Sequence, residues 1–187
     1  MRKSQKGFTL IELLLVVAII GILSSLLIPN VMVAIQKSKQ KSCMGNIMLL
    51  VTGCADFIVD HGDWGNLDQE GALEVSGEFV QALYPYRLKG FPTSDSWGTP
   101  FNVYVGKTAV PNGLSGIPPE DCGGDDFLVS SFGRDHEEGP LYMMYDPENL
   151  EAGIYTVTAI SDFDEDLVNW SGSWIICPRS AKADTGT

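Results

Sequence analysis

Apolar residues run almost unbroken from Phe8 to Ile35 and then thin to one in every three or four. The unbroken run is about 28 residues, roughly 42 Å of helix, which is long enough to cross a hydrocarbon core of about 30 Å. Beyond it, Cys43, Ile47, Leu50, Cys54, Phe57 or Ile58, and His61 keep helical spacing. The helix is therefore expected to continue as an amphipathic stalk to about Asp60 and to stop at His61-Gly62-Asp63, with Gly62 as its cap. After Gly62 the pattern changes to short runs between Gly- and Pro-rich turns, as in an antiparallel sheet. A short helix is expected over residues 76–88, where Phe79, Val80, Leu83 and Leu88 share a face. Strands are expected at 101–105, 126–132, 155–160 and 174–177, with a long loop over 111–124. The roughly 150 residues beyond the apolar run suffice for one globular head with its own core and leave no room for two.

Charge changes this picture at one position. Glu12 sits inside the apolar run, where an unpaired carboxylate costs at least about 2.5 kcal/mol, so a partner is required. If the chain is cut between Gly7 and Phe8, the new α-amine lies four residues before Glu12. A neighbouring copy's amine would then neutralise that carboxylate within an apolar bundle. Basic Arg2, Lys3 and Lys6 precede the run and favour a cytoplasmic leader; Lys37, Lys39 and Lys41 beyond it weigh the other way. A secretory signal peptide fits less well, because the apolar stretch is long, contains Glu12 and is followed by no small-x-small cleavage site.

Arg2, Lys3, Lys6, the Gly7-Phe8 junction, Thr9-Leu10-Ile11-Glu12 and Pro29 together resemble the type IV prepilin signature. The resemblance implies removal of a basic leader by a prepilin peptidase after Gly7, methylation of the new N-terminal Phe8, and assembly through Glu12. It implies an α+β, type IV pilin-like fold: a long N-terminal helical stalk, its first half transmembrane, packed on a small antiparallel β-sheet head. The chain then divides into a leader over 1–7, a membrane and assembly helix over 8–35, an amphipathic continuation over 36–61 and a β-rich head over 62–187. The subunit is expected to cross the inner membrane once, with its head in the periplasm, until it joins a periplasmic or extracellular filament.

Three pieces of the head carry a narrower resemblance. Asp95-Ser96-Trp97-Gly98-Thr99-Pro100-Phe101, Ser131-Phe132-Gly133-Arg134-Asp135 and Asp166-Leu167-Val168-Asn169-Trp170 are similar, in order, to the D-x-W-G-x-P-[FY], S-x-G-x-D and D-[IL]-x-N-W motifs of major pseudopilins of type II secretion. Residues 106–125 and 139–158, and the chain after Trp170, depart from that compact head. This resemblance implies a structural, non-enzymatic subunit of a pseudopilus that helps export proteins across the outer membrane. Its partners would be further copies of itself, other pseudopilins and an inner-membrane assembly platform. A surface type IV pilus subunit, or a membrane-anchored extracytoplasmic domain that borrows the leader, are the alternative readings.

The alternating carboxylates of Asp162-Phe163-Asp164-Glu165-Asp166 suit a hard, oxygen-seeking cation such as calcium. An EF-hand is excluded, because Leu167 stands where Gly is needed and Ser173 where Glu is needed. In the family resembled, the corresponding loops hold calcium, which implies roles for Asp135, Asp162, Asp164 and Asp166; a solvated acidic turn is the plain alternative. Four cysteines outside the cytoplasm, Cys43, Cys54, Cys122 and Cys177, are candidates for two disulfides. Cys43 and Cys54 cannot pair with each other, since eleven residues of helix separate their Cα atoms by about 16 Å. Each would have to reach Cys122 or Cys177, and thiols that stay reduced in the core are the other reading.

The formal net charge is −12, three units more negative once the leader's basic residues leave. Such acidity argues against nucleic-acid binding, which needs clustered Lys and Arg. Ser38-x-x-Lys41 matches a penicillin-binding nucleophile motif but lacks its partner motifs and lies in the stalk. No P-loop, G-x-S-x-G, H-E-x-x-H or dinucleotide fingerprint is present.

Overall fold

The computed structural model of the chain describes residues 7–84, 88, 90–114, 117–139, 145–146, 148–149 and 151–179. Arg2, Lys3 and Lys6 of the leader lie outside them. One helix, α1 (Leu10–His61), takes up 52 residues. Thr9 caps its start, and the helix runs through Pro29, which has no N–H to offer the carbonyl of Ser25. It stops where the periodicity predicts. Gly62 adopts φ +88°, a conformation that a side chain would oppose, and its N–H bonds the carbonyl of Ile58 at 2.7 Å.

Burial divides α1 in two. Every buried residue of the helix lies in its second half: Gln40, Cys43, Ile47, Leu50, Val51, Gly53, Cys54 and Phe57. The apolar side chains of the first half, from Leu10 to Met32, are exposed. By length and composition this part of the helix is able to span a membrane.

The buried half packs on one face of a sheet. Its strands are β1 (Glu70–Ala72), β2 (Asn102–Val105), β3 (Phe127–Ser131), β4 (Ile154–Tyr155), β5 (Leu167–Trp170) and β6 (Ser173–Pro178). Among the described residues they stand in the order β1-β2-β3-β5-β6-β4. Alternation along each strand separates two cores. Val103, Val105, Phe127, Val129 and Leu167 join the core under α1, where Leu88 covers Gly53 so closely that an added methyl would lie 2.8 Å from its Cδ1. Leu128, Val168 and Ile176 point to the opposite face and meet Val110, Leu114, Ile117 and Cys122. Strand β3 is consequently buried at all five positions.

That second core rests on an element the local pattern hides. Residues 106–125, expected as a departure from the compact head with a loop over 111–124, supply helix α3 (Gly106–Gly113), which carries Val110 onto the sheet. Four further expectations are corrected. The sheet is mixed, because β4 runs parallel to β6 while the other pairings are antiparallel. The strand expected at 155–160 is confined to Ile154–Tyr155, and a 3-10 turn follows at Ile160–Phe163. The cause is local: the Asp162 carboxylate accepts the N–H groups of Thr158 and Ala159 at 2.6 and 2.7 Å, folding back a chain that would otherwise extend. Strands β1 and β5 form where none was expected, and the short helix α2 covers Glu78–Leu83, part of the range expected for it. Residues 85–87 of that range lie outside the described ones.

Leu50 is fully buried in the core beneath α1, whereas Leu14 is 60% exposed. Leu50→Ala should lower the unfolding free energy of the detergent-solubilised protein by about 2–5 kcal/mol, and Leu14→Ala should leave it unchanged. Denaturant unfolding followed by tryptophan fluorescence measures both.

Candidate functional site

The processing junction is an extended, open segment. Nothing lies within 4 Å of where a side chain on Gly7 would begin, and Phe8 is 79% exposed. The helix starts only afterwards, through a capping box: the Thr9 N–H and hydroxyl donate to Glu12 Oε2 at 2.9 and 2.8 Å, and the Glu12 N–H donates to Thr9 Oγ1 at 3.3 Å. Glu12 therefore has a partner within its own chain, one that the Thr9-x-x-Glu12 spacing signals. Two acceptor oxygens and an exposed setting leave the carboxylate accessible to a neighbouring copy's α-amine.

In the head, the three motifs form one connected structure. Asp95 Oδ1 accepts the N–H groups of Trp97, Gly98 and Thr99 at 2.9, 2.8 and 2.9 Å, and its Oδ2 accepts the Ser131 hydroxyl at 2.7 Å. Trp97 Nε1 donates to Gln36 Oε1 of the stalk at 2.9 Å. The tryptophan turn is thus tied both to α1 and to the end of β3. Ser131 Oγ also accepts the Gly133 N–H at 3.3 Å, and Gly133, at φ +74°, lies against the 163–165 turn that leads into the third motif. A methyl group there would meet the carbonyl oxygens of Glu165, Phe163 and Asp164 at 2.8, 2.9 and 3.0 Å. Nothing in the one-dimensional pattern marks Asp95 as the residue that holds these pieces together.

The four acidic residues expected to bind calcium occupy different settings. Asp164 makes a two-point ion pair with Arg134, Oδ1 to Nε at 2.6 Å and Oδ2 to Nη2 at 2.8 Å. The Asp162 carboxylate is taken up by Thr158 and Ala159, whose N–H groups hold it below the usual carboxylate range. Asp135 is exposed and accepts the Glu137 N–H at 3.1 Å. Asp166 differs from all of them. It is fully buried, its Oδ2 accepts the Gly139 N–H at 2.8 Å, and its Oδ1 has no partner among the described residues. Burial pushes its pKa up to about 7, the Gly139 N–H opposes the rise, and the charges of Asp135, Glu138 and Glu165 add to it. Glu165 shares the neighbourhood, with a buried, unpartnered Oε2 and a pKa raised by burial and then by Asp162, Asp135 and Asp164.

Two buried carboxylate oxygens without a partner among the described residues are of the type calcium takes, which binds six to eight oxygens. Among the described residues no three His, Cys, Asp or Glu side chains gather as a metal site by themselves. A full shell at this place would draw on Asp166, Asp135 and main-chain carbonyls of the 163–165 turn.

The pair of disulfides expected from the cysteine count is not what the structure holds. All four cysteines are buried and described, and no disulfide joins any two of them. Cys43 and Cys54 lie in the core beneath α1 and Cys122 in the core on the opposite face, so the sheet itself separates them. Burial raises the Cys43 thiol to about 12 and raises Cys54 and Cys122 as well, which keeps them protonated.

Residues 2–28 match the family model described as the prokaryotic N-terminal methylation motif. The chain is 31% identical over 108 residues to the type II secretion system core protein G of Aeromonas hydrophila, covering 54% of this chain and 74% of that protein. It is 28% identical over 131 residues to the core protein G of Escherichia coli K12, covering 67% of this chain and 90% of the relative. A fimbrial protein of Neisseria meningitidis serogroup B is 34% identical over 91 residues, 44% of this chain and 51% of its own length. No solved structure matches.

A pH dependence follows from Asp166. Its folded pKa lies above the unfolded one, so its contribution to stability is full below the ordinary carboxylate range and is lost as pH rises through about 7. Asp162, shifted the other way, loses its contribution only on acidification below the ordinary range. With chelator present, the melting temperature should fall by about 5–10 °C between pH 5 and pH 8. Asp166→Asn should flatten that slope, as read by scanning fluorimetry of the full chain in detergent.

Proposed function

The chain belongs to the type II secretion system core protein G family, and on that premise we propose that its processed form is the structural subunit of a pseudopilus that helps move folded proteins across the outer membrane. The observation that carries this reading is the apolar half of α1, which a single subunit leaves exposed. A surface of that size needs either lipid or copies of itself, and the chain has a use for each in turn. Before assembly the helix anchors the subunit in the inner membrane, with the head in the periplasm. After removal of the leader by prepilin peptidase, the same surface packs against neighbouring subunits, and Glu12 receives the α-amine of an adjacent Phe8. Other pseudopilins and the inner-membrane assembly platform are the expected partners. The similarity to a fimbrial protein favours a surface pilus as the second reading, though it covers less of the chain.

Co-expression with the secretion machinery tests this. Mass spectrometry of the wild-type protein should show a chain starting at methylated Phe8. Glu12→Ala should be processed and inserted but should reduce pelletable filament to a small fraction of wild type, because a buried amine left without its counter-charge costs about 3–5 kcal/mol. Release of exoproteins should fall with it. Long surface fibres with normal exoprotein release would favour the pilus instead.

The same head is proposed to bind calcium through Asp166, with Asp135 and carbonyls of the 163–165 turn. The buried, unpartnered oxygens of Asp166 and Glu165 support this. The ion would offset the burial, and the neighbouring negative charges, that raise the pKa of Asp166 and would tie the end of β3 to the start of β5. Calcium at a hundredfold excess over Kd should stabilise the full chain by about 2.7 kcal/mol, read as a rise in melting temperature that chelator reverses. Asp166→Asn should remove the response and Asp68→Asn, an exposed site outside the loop, should keep it. Equal melting temperatures with calcium and with chelator would sink the assignment.

A further inference from the structure

Between Glu12 and Asp56 the stalk carries three charged side chains, Lys37, Lys39 and Lys41, and all are basic although the chain as a whole is at −12. Gln36, Gln40, Cys43 and Ile47 mark the side of α1 that meets the head, through the bond from Trp97, the bond to Tyr155 and burial. At about 100° per residue, Lys37 and Lys41 stand roughly 80–120° round the helix from that side, one turn apart on a common flank. Both are exposed, and neither has an ion-pair partner among the described residues.

At the same height the head presents the opposite charge. The tryptophan turn, held to the stalk at Gln36, touches the loop that follows β3, where the Thr99 hydroxyl meets the His136 ring. That loop, Asp135-His136-Glu137-Glu138, is exposed at all four positions. Asp135 accepts the Glu137 N–H at 3.1 Å, and the neighbouring Arg134 is taken up by Asp164. The carboxylates of Glu137 and Glu138 have no partner among the described residues.

Each subunit thus holds two lysines on the helix and two glutamates on the head at one height, without pairing them internally. Parallel copies in which the Phe8 amine of one meets Glu12 of another are displaced by about four residues, or about 6 Å along the helix. That is one turn, the spacing of Lys37 and Lys41, so the acidic loop of one copy stays level with the lysine pair of the other and within reach of their flexible stems. A lipid surface is the poorer match. Anionic headgroups would suit the lysines but would repel the glutamates exposed at the same height.

We propose that Lys37 and Lys41 of one subunit pair with Glu137 and Glu138 of a neighbouring copy, latching each head to the next stalk. The pairing rests on the filament reading and adds to it which polar surfaces meet beyond the apolar core. Exposed ion pairs contribute little singly. Repeated along a filament and partly shielded between subunits, they set which copy docks where.

Two differently tagged full-length chains, Lys41→Cys and Glu138→Cys, are co-expressed with the secretion machinery, and sheared filaments are treated with a short bismaleimide. A mixed dimer should form, and it should be absent when either variant is paired with wild type, since the four native cysteines are buried. Lys37→Glu together with Lys41→Glu should cut pelletable filament about tenfold. Adding Glu137→Lys and Glu138→Lys to the same chain should restore most of it, with the melting temperature unchanged throughout because all four positions are exposed. Wild-type chains that give no filament overturn the filament reading and the contact together. Filaments that give no mixed dimer, or whose yield charge reversal leaves at the wild-type level, overturn the contact alone. So does a charge-reversed chain that no longer sediments with membranes, because that loss assigns the lysines to lipid headgroups.

Discussion

A continuous helix whose two halves face different surroundings is the constraint on which the rest of this protein depends. From Gln40 onward, one side of α1 closes the core of the head, and before that point none of its described residues is buried, although Gln36 still accepts from Trp97. The two halves share one hydrogen-bonded backbone, so the head cannot be built without holding the apolar half out in an extended rod. The exposed half is not a folding defect. On the proposed function it is the surface that a membrane, or a stack of identical subunits, would cover to complete the hydrophobic burial that the monomer leaves undone.

The same division explains how the polar elements are used. In the stalk, Gln36 and Gln40 are the first polar side chains to meet the head, donating or accepting across to Trp97 and Tyr155 at 2.9 and 3.0 Å. They fix how far along the helix the head sits. At the opposite side of the core, Asp95 and Ser131 join the tryptophan turn to β3, and Gly133 passes the connection to the acidic turn before β5. Removing any of these would leave buried donors or acceptors unpaired, which costs more than the bonds themselves contribute. The acidic turn is the one part of this network left unbalanced, with Asp166 and Glu165 each holding an oxygen that finds no donor among the described residues. A structural cation is the simplest completion of such a network, and its effect would be to tie two chain segments rather than to perform chemistry.

The long insertions add a layer without disturbing this plan. Helix α3 and the residues up to Cys122 cover the face of the sheet that α1 does not reach, so β3 becomes an interior strand with side chains buried above and below. A sheet covered on both faces tolerates apolar residues at every position of its central strand. That is why Phe127-Leu128-Val129 shows no alternation, although the strand is flanked by antiparallel neighbours.

Much of this was legible in the sequence because it depends on local periodicity. The stripe from Cys43 to Phe57 and the stop at Gly62 are helical-period signals, and the structure reproduces both; the helix expected from Phe8 begins at Leu10, after the Thr9 cap. The three head motifs were legible as turns. What they do to one another was not, since Asp95, Ser131, Gly133 and the 163–165 carbonyls are brought together only when β2, β3 and β5 pair. The strand expected at 155–160 was lost to a side-chain to backbone bond from Asp162, a competition that apolar patterning does not register. Helix α3 was hidden by Gly106 and Pro111, which read as loop residues until packing against the sheet compensates for them. The cysteine count suggested bridges, but the sheet that separates Cys122 from Cys43 and Cys54 exists only in the folded chain. Sequence by itself determined the stalk, the junction and the family, because those rest on residues near each other along one helix; tertiary structure alone decided the acidic site and the thiols, because each is assembled from segments far apart in the chain.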